Sequence, residues 1–183
     1  MADDGYQTAS LWLSDGWAWV QREQIKAPLY WHEDEQFTHY GWQARDADAP
    51  VAHISYYEAD AFATWAGARL PTEFEWEAIA HNDDAASGNQ LDGFENLVPQ
   101  GGDGLFGDCW QFTRSAYLPY PRYKPAEGAI GEYNGKFMVN QMVLRGASSA
   151  TSPNHSRKSY RNFFHPHYQW QFTGIRLAKK QTI

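Results

Sequence analysis

Cysteine is nearly absent from this chain of 183 residues: Cys109 stands alone. No internal disulfide can brace the fold, and nothing ties it to an oxidising compartment. Long apolar runs are missing too, and the mean hydropathy is −0.67. That excludes the stretch of roughly 20 apolar residues that a membrane-spanning helix needs. Basic residues are outnumbered, 15 Lys and Arg against 22 Asp and Glu, for a net charge of −7. A surface of that sign repels phosphate backbones, so nucleic acid is excluded as a main partner. The opening residues, Met1-Ala2-Asp3-Asp4-Gly5, carry neither the basic nor the apolar region of a secretory signal. Cytoplasmic residence is the default expectation. No internal repeat and no low-complexity linker divides the chain, so one domain over residues 1–183 is expected.

Aromatic residues are abundant instead: 9 Trp, 11 Tyr and 10 Phe make up 16% of the sequence, with 15 Gly and 9 Pro to turn the chain. Large rings bury large areas and fill irregular spaces, which predicts a loop-rich α+β domain rather than a helical bundle. Ser10 is placed to cap a helix over residues 10–20, with Trp12 and Trp19 on one face. Residues 29–31 and 37–42 read as strands. Ser55 followed three residues later by Glu58 is a capping box, and Ala59, Phe62, Ala63 and Ala66 form the apolar stripe of a helix that Gly67 stops. Thr72 and Glu75 repeat the device for a second helix from about residue 73 to 81. Residues 82–104 are polar and read as loop. Short strands are expected at 109–113, 142–145 and 174–177, and three prolines between Tyr117 and Pro125 forbid regular structure there. The stretch between Arg145 and Gly174 reads as polar and irregular.

Several segments together carry a resemblance. Residues 65–77, Trp-Ala-Gly-Ala-Arg-Leu-Pro-Thr-Glu-Phe-Glu-Trp-Glu, resemble the signature of the formylglycine-generating-enzyme-like (sulfatase-modifying-factor) fold, a relative of C-type lectins. Gly107-Asp108-Cys109-Trp110-Gln111-Phe112-Thr113, Leu144-Arg145-Gly146-Ala147-Ser148 and Gly174-Ile175-Arg176-Leu177-Ala178 match its later motifs. A narrower set, Tyr117 to Pro121, Gly131 to Met138, Asn140 to Gly146, Tyr160 to Phe164 and Trp170 to Arg176, is similar to bacterial ergothioneine-biosynthesis sulfoxide synthases. The resemblance runs from about residue 5 to residue 178. It implies an oxygen-dependent oxidoreductase that joins a cysteine-type thiol to trimethylhistidine. It also implies Fe(II) on three histidines of an N-terminal DinB-like helical bundle, outside this chain. Met1 then reads as a break point within a two-domain protein.

The residues agree that this chain is not expected to hold the iron itself. Of its seven histidines, at positions 32, 39, 53, 81, 155, 165 and 167, none forms an HxxxH pair with a downstream acid. His165 and His167 flank Pro166 and read as exposed loop histidines. Formylglycine generation needs two copper-binding thiols after the Arg-Gly segment. Thr151 and Ser156 stand at those places and cannot supply soft thiolate, and Cys109 reads as a small buried thiol.

What the resemblance leaves to this chain is substrate contact. The segment matching Asn162-Phe163-Phe164 lies next to the iron in relatives, where an Asn meets the imidazole of trimethylhistidine. An amide both donates and accepts, which suits a neutral imidazole; the plain alternative is an Asn satisfying its own backbone. Phe163 and Phe164 offer cation–π contact to the trimethylammonium group and resemble the branch that uses free cysteine. Gln169 stands where relatives carry an Arg suited to a substrate carboxylate; His165 replaces a Pro, Ala147 a Gly, and Gln111 a Glu. Arg145, Arg176, Arg69, Glu73 and Trp76 read as structural, Trp110 and Trp170 as core, and Tyr120 and Tyr123 as loop residues near the cleft. Trp12, Trp17 and Trp19 are candidates for a docking surface as much as for core. A non-catalytic lectin-like module, or an inactive remnant of the family, is the competing reading.

Overall fold

The computed structural model describes residues 3–92, 97–102 and 104–180. The expected break point at Met1, and part of the expected 82–104 loop, lie outside those residues. Among them the fold is α+β, as the sequence implies, with four α-helices and two sheets. The chain opens with two 3-10 turns, Gly5–Gln7 and Ala9–Leu11, and then α1 (Ser14–Glu23). The helix expected from Ser10 starts four residues late. The Trp12 indole N–H donates to the Gly5 carbonyl at 2.8 Å, and residue 12 is held extended there. A three-stranded antiparallel meander follows: β1 (Trp31–His32), β2 (Glu35–Thr38) and β3 (Gly41–Ala44).

Next come α2 (Tyr56–Trp65) and α3 (Glu73–Ile79). Both capping boxes form as read. Ser55 Oγ accepts from the Glu58 N–H at 3.1 Å, and Glu58 returns a bond to the Ser55 N–H. Thr72 and Glu75 do the same. Gly67 ends α2 with φ +65°, a conformation glycine adopts without a Cβ penalty. Gly16 serves differently: a Cβ there would meet the Tyr57 side chain at 2.9 Å, so its absence lets α1 lie against α2.

The second sheet is the scaffold of the site. Its strands are β4 (Trp110–Ala116), β5 (Met142–Arg145), β6 (Asn162–Phe164) and β7 (Thr173–Gly174), in the order β6-β5-β4-β7; a short helix α4 (Ala129–Asn134) lies between β4 and β5 in the chain. β5 pairs antiparallel to β4 and β6, and β7 runs parallel to β4. Strand alternation sends Trp110, Phe112 and Leu144 into one cluster with Ile54, Tyr56, Ala59, Ala63 and Leu70. On the opposite face, Gln111 accepts the Trp76 indole N–H at 2.8 Å, in front of a second cluster of Trp76, Ala80, Leu105 and Phe106. α2 and α3 thus cover opposite faces of one sheet.

Arg145 is fully buried and pairs with Glu77, and it donates to the Lys158 and Ser159 carbonyls, while its Nε has no partner among the described residues. Arg176 donates to Gln111 and to the Gly104 carbonyl. Trp110 is core, but Trp170 is 54% exposed, with its ring edge-on to Phe164 at 5.3 Å. Trp19 is buried, which removes it from the docking candidates. α4 and β6 have no counterpart among the expected elements. Both are short, and β6 exists only through its pairing with β5.

Candidate functional site

β6 is one of the two edge strands of the four-stranded sheet, registered Leu144 with Asn162, Val143 with Phe163 and Met142 with Phe164. Its alternation divides the three predicted residues. Phe164 packs against the core cluster and Trp170. Phe163 points the other way and stacks on Tyr117, centroids 4.2 Å apart and planes 9° apart, with Phe137 at 6.0 Å. The two phenylalanine rings therefore do not build one wall; Phe163 builds it with Tyr117 and Phe137. Asn162 Oδ1 accepts from the Phe163 N–H at 2.9 Å. Its amide can still donate through Nδ2, which has no bond to another described residue.

Gln169 is taken elsewhere. Its Nε2 donates to Glu58 Oε2 at 2.8 Å, 111 residues away along the chain. The same oxygen accepts from the Ser55 N–H and hydroxyl, each at 2.7 Å, and Glu58 Oε1 accepts from the Tyr6 hydroxyl at 2.5 Å. Burial pushes the Glu58 carboxyl above its usual range, and the hydrogen bonds from Tyr6, Ser55 and Gln169 pull against that. Every donor in this shell is neutral. An apolar recess of about 410 Å3 lies on this side, between Tyr6, Trp12, Trp31, Phe62 and Trp65, and none of Asn162, Phe163, Phe164 or Gln169 lines it.

The loop facing Phe163 is held by a network that the sequence did not single out. Arg161, one residue before β6, donates through Nε and Nη2 to the two carboxylate oxygens of Glu73 at 2.7 and 2.9 Å, and through Nη1 to the Leu118 carbonyl. Its guanidinium lies 4.7 Å from the Tyr117 ring centroid and 4.2 Å from that of Tyr120. Tyr120 donates its hydroxyl to Glu73 at 2.8 Å. Burial and that bond raise its pKa to about 12, so it stays a donor. The signal for this network was the Arg beside the Asn, but its partner lies 88 residues upstream.

Among the described residues no group of three His, Cys, Asp or Glu side chains is brought together. His165 Nδ1 faces the Asn140 carbonyl at 3.1 Å, and its ring stacks on His167 at 5.9 Å. The places of the copper thiols are filled by hydroxyls with partners of their own: Thr151 pairs with Ser148, and Ser156 donates to Gln90. Cys109 is buried, and burial pushes its thiol pKa up. No helix among the described residues is long and apolar enough to cross a membrane.

Comparison with known proteins agrees with this geometry. The model of the sulfatase-modifying factor enzyme 1-like domain matches residues 2–95. Over 96% of its length the chain is 36% identical to the hercynine oxygenase of Mycobacterium tuberculosis and 32% identical to that of Mycolicibacterium smegmatis. It spans 48% of each of those proteins, about half their length. The formylglycine-generating enzyme of Thermomonospora curvata is 64% identical, but over only 17% of the chain. The chain belongs to the sulfatase-modifying factor enzyme 1-like family, and along nearly its whole length it is similar to hercynine oxygenases.

Proposed function

We propose that this chain is the substrate-facing half of an iron-dependent sulfoxide synthase, one that couples a cysteine-type thiol to trimethylhistidine with oxygen. The iron is held by a DinB-like partner domain or chain. The observation that carries the reading is the similarity to hercynine oxygenases along nearly the whole chain, at half of their length. Two structural features support it. Asn162 keeps an amide donor unspent at a sheet edge, and Phe163 with Tyr117 and Phe137 forms an aromatic wall from the next position of the same strand, on its other face. An imidazole suits the amide by hydrogen bond, and a trimethylammonium group suits an aromatic wall by cation–π contact.

The engagement of Gln169 by Glu58 alters one part of this picture. A residue committed to a buried carboxylate is not free to bind the carboxylate of a substrate, so Gln169 acts here as an internal tether. The test is reconstitution. The chain is mixed with an iron-loaded DinB-like partner, a 1:1 complex is verified, and cysteine, trimethylhistidine and oxygen are supplied. Mass spectrometry should detect the sulfoxide only in the complex. A folded, verified complex without turnover overturns the reading.

A further inference from the structure

The geometry points to Arg161 as the positioning residue of the aromatic wall: it anchors the 117–120 loop to β6 and so fixes the Tyr117 ring against Phe163. This deepens the proposed function and rests on it for its role in turnover, though not for its effect on structure. Residues 161 and 163 lie two apart on an extended segment, so both side chains project to one side, and both reach Tyr117. The ion pair beneath is nearly dry, with the Arg161 and Glu73 side chains 13% and 3% exposed. A bidentate guanidinium–carboxylate pair fixes orientation as well as distance. Glu73 is fixed in turn, since it opens α3 and its N–H donates to Ser115 Oγ at 3.0 Å. Leu118, between the two tyrosines, is tied by its carbonyl to the same guanidinium. Tyr117 is also held by its N–H to the Gln141 carbonyl at 2.8 Å and by its hydroxyl to Asn134 at 3.3 Å, but one guanidinium ties its ring face to the Tyr120 ring and the Leu118 carbonyl.

A lysine at 161 keeps the charge but loses the fork and the flat face. Side-chain NMR of the chain alone reads the first consequence. A ring stacked at 4.2 Å carries a ring-current shift, which Arg161→Lys should largely abolish on the Tyr117 and Phe163 resonances while backbone signals of α2 and β4 stay in place. Arg161→Ala should do the same, and added ethylguanidinium should restore the shift. In the reconstituted complex, Arg161→Lys should raise KM for trimethylhistidine roughly twofold to thirtyfold, the scale of a lost cation–π contact, with kcat changed far less and iron content unchanged. If Arg161→Ala fails to fold, Arg161→Lys alone decides. Unchanged ring shifts in the folded Lys variant overturn the inference whatever the turnover shows. A fall confined to kcat overturns its functional part. Absence of turnover in the wild-type complex counts against the proposed function alone, because the NMR result stands without it.

Discussion

Glu58 is a buried carboxylate whose shell holds four neutral donors and no cation, and replacing Gln169 tests what that arrangement costs. Burial raises its pKa in the folded state. The folded chain therefore keeps this proton after the unfolded chain has released it. The stability contributed by the group is complete below the ordinary glutamate range and is lost as pH rises through the folded value. Gln169→Leu removes one donor. A hydrogen bond to a charged group contributes about 1.5–3 kcal/mol, and one between neutral groups about 0.5–1.5 kcal/mol. The variant should then lose roughly 1 kcal/mol more where Glu58 is ionised than where it is protonated, carrying the fall in stability to higher pH. Gln169→Arg does the opposite: a guanidinium supplies the missing countercharge and lowers the Glu58 pKa. Desolvating the arginine offsets much of that gain, so net stability near neutral pH should shift little while the pH dependence flattens or reverses. Urea unfolding from pH 4.5 to 8 measures all three, with Glu58→Gln as the reference that removes every other titration. Parallel pH profiles in wild type, Gln169→Leu and Gln169→Arg would refute the reasoning.

Three further outcomes follow from the core and the caps. The buried pair of Arg145 and Glu77 is asymmetric, because the Arg side chain is fully buried and the Glu side chain is 43% exposed. Glu77→Ala strands a charge inside and should cost about 3–5 kcal/mol, whereas Arg145→Met leaves a carboxylate that water can reach and should cost less; the reverse order in urea unfolding contradicts the assignment. Thr72→Ala removes the cap of α3 and should cost about 1 kcal/mol. Ser55→Ala should cost more, since the Ser55 hydroxyl also donates to Glu58, and thermal unfolding ranks the two. Cys109 is buried with its thiol pKa pushed up, so a thiol-reactive disulfide reagent at pH 8 should label it only as the protein unfolds; stoichiometric labelling of the native protein within minutes excludes that.

Helices α2 and α3 were legible because their signals are local. Ser55 and Thr72 each meet a glutamate three residues on, and both boxes close as written. The site was legible in its residues and not in its arrangement. Asn162, Phe163 and Phe164 have no hydrophobic period over three positions, so nothing in the sequence marks a strand there. Pairing with β5 makes the strand, and the strand then sends the two phenylalanines to opposite faces. Glu58 was read once, as half of a capping box, and that reading was correct. Its bonds to Tyr6 and Gln169 span 52 and 111 residues, and no local pattern reports them. Trp170 failed in the other direction: a large indole predicts burial on average, yet here it lies half-exposed against one ring of the core. Arg161 and Glu73, 88 residues apart, make the same point for function. The residues beside the candidate substrate wall were found by motif, while the residue that aligns the wall is identifiable only once the sheet edge and the start of α3 are seen together.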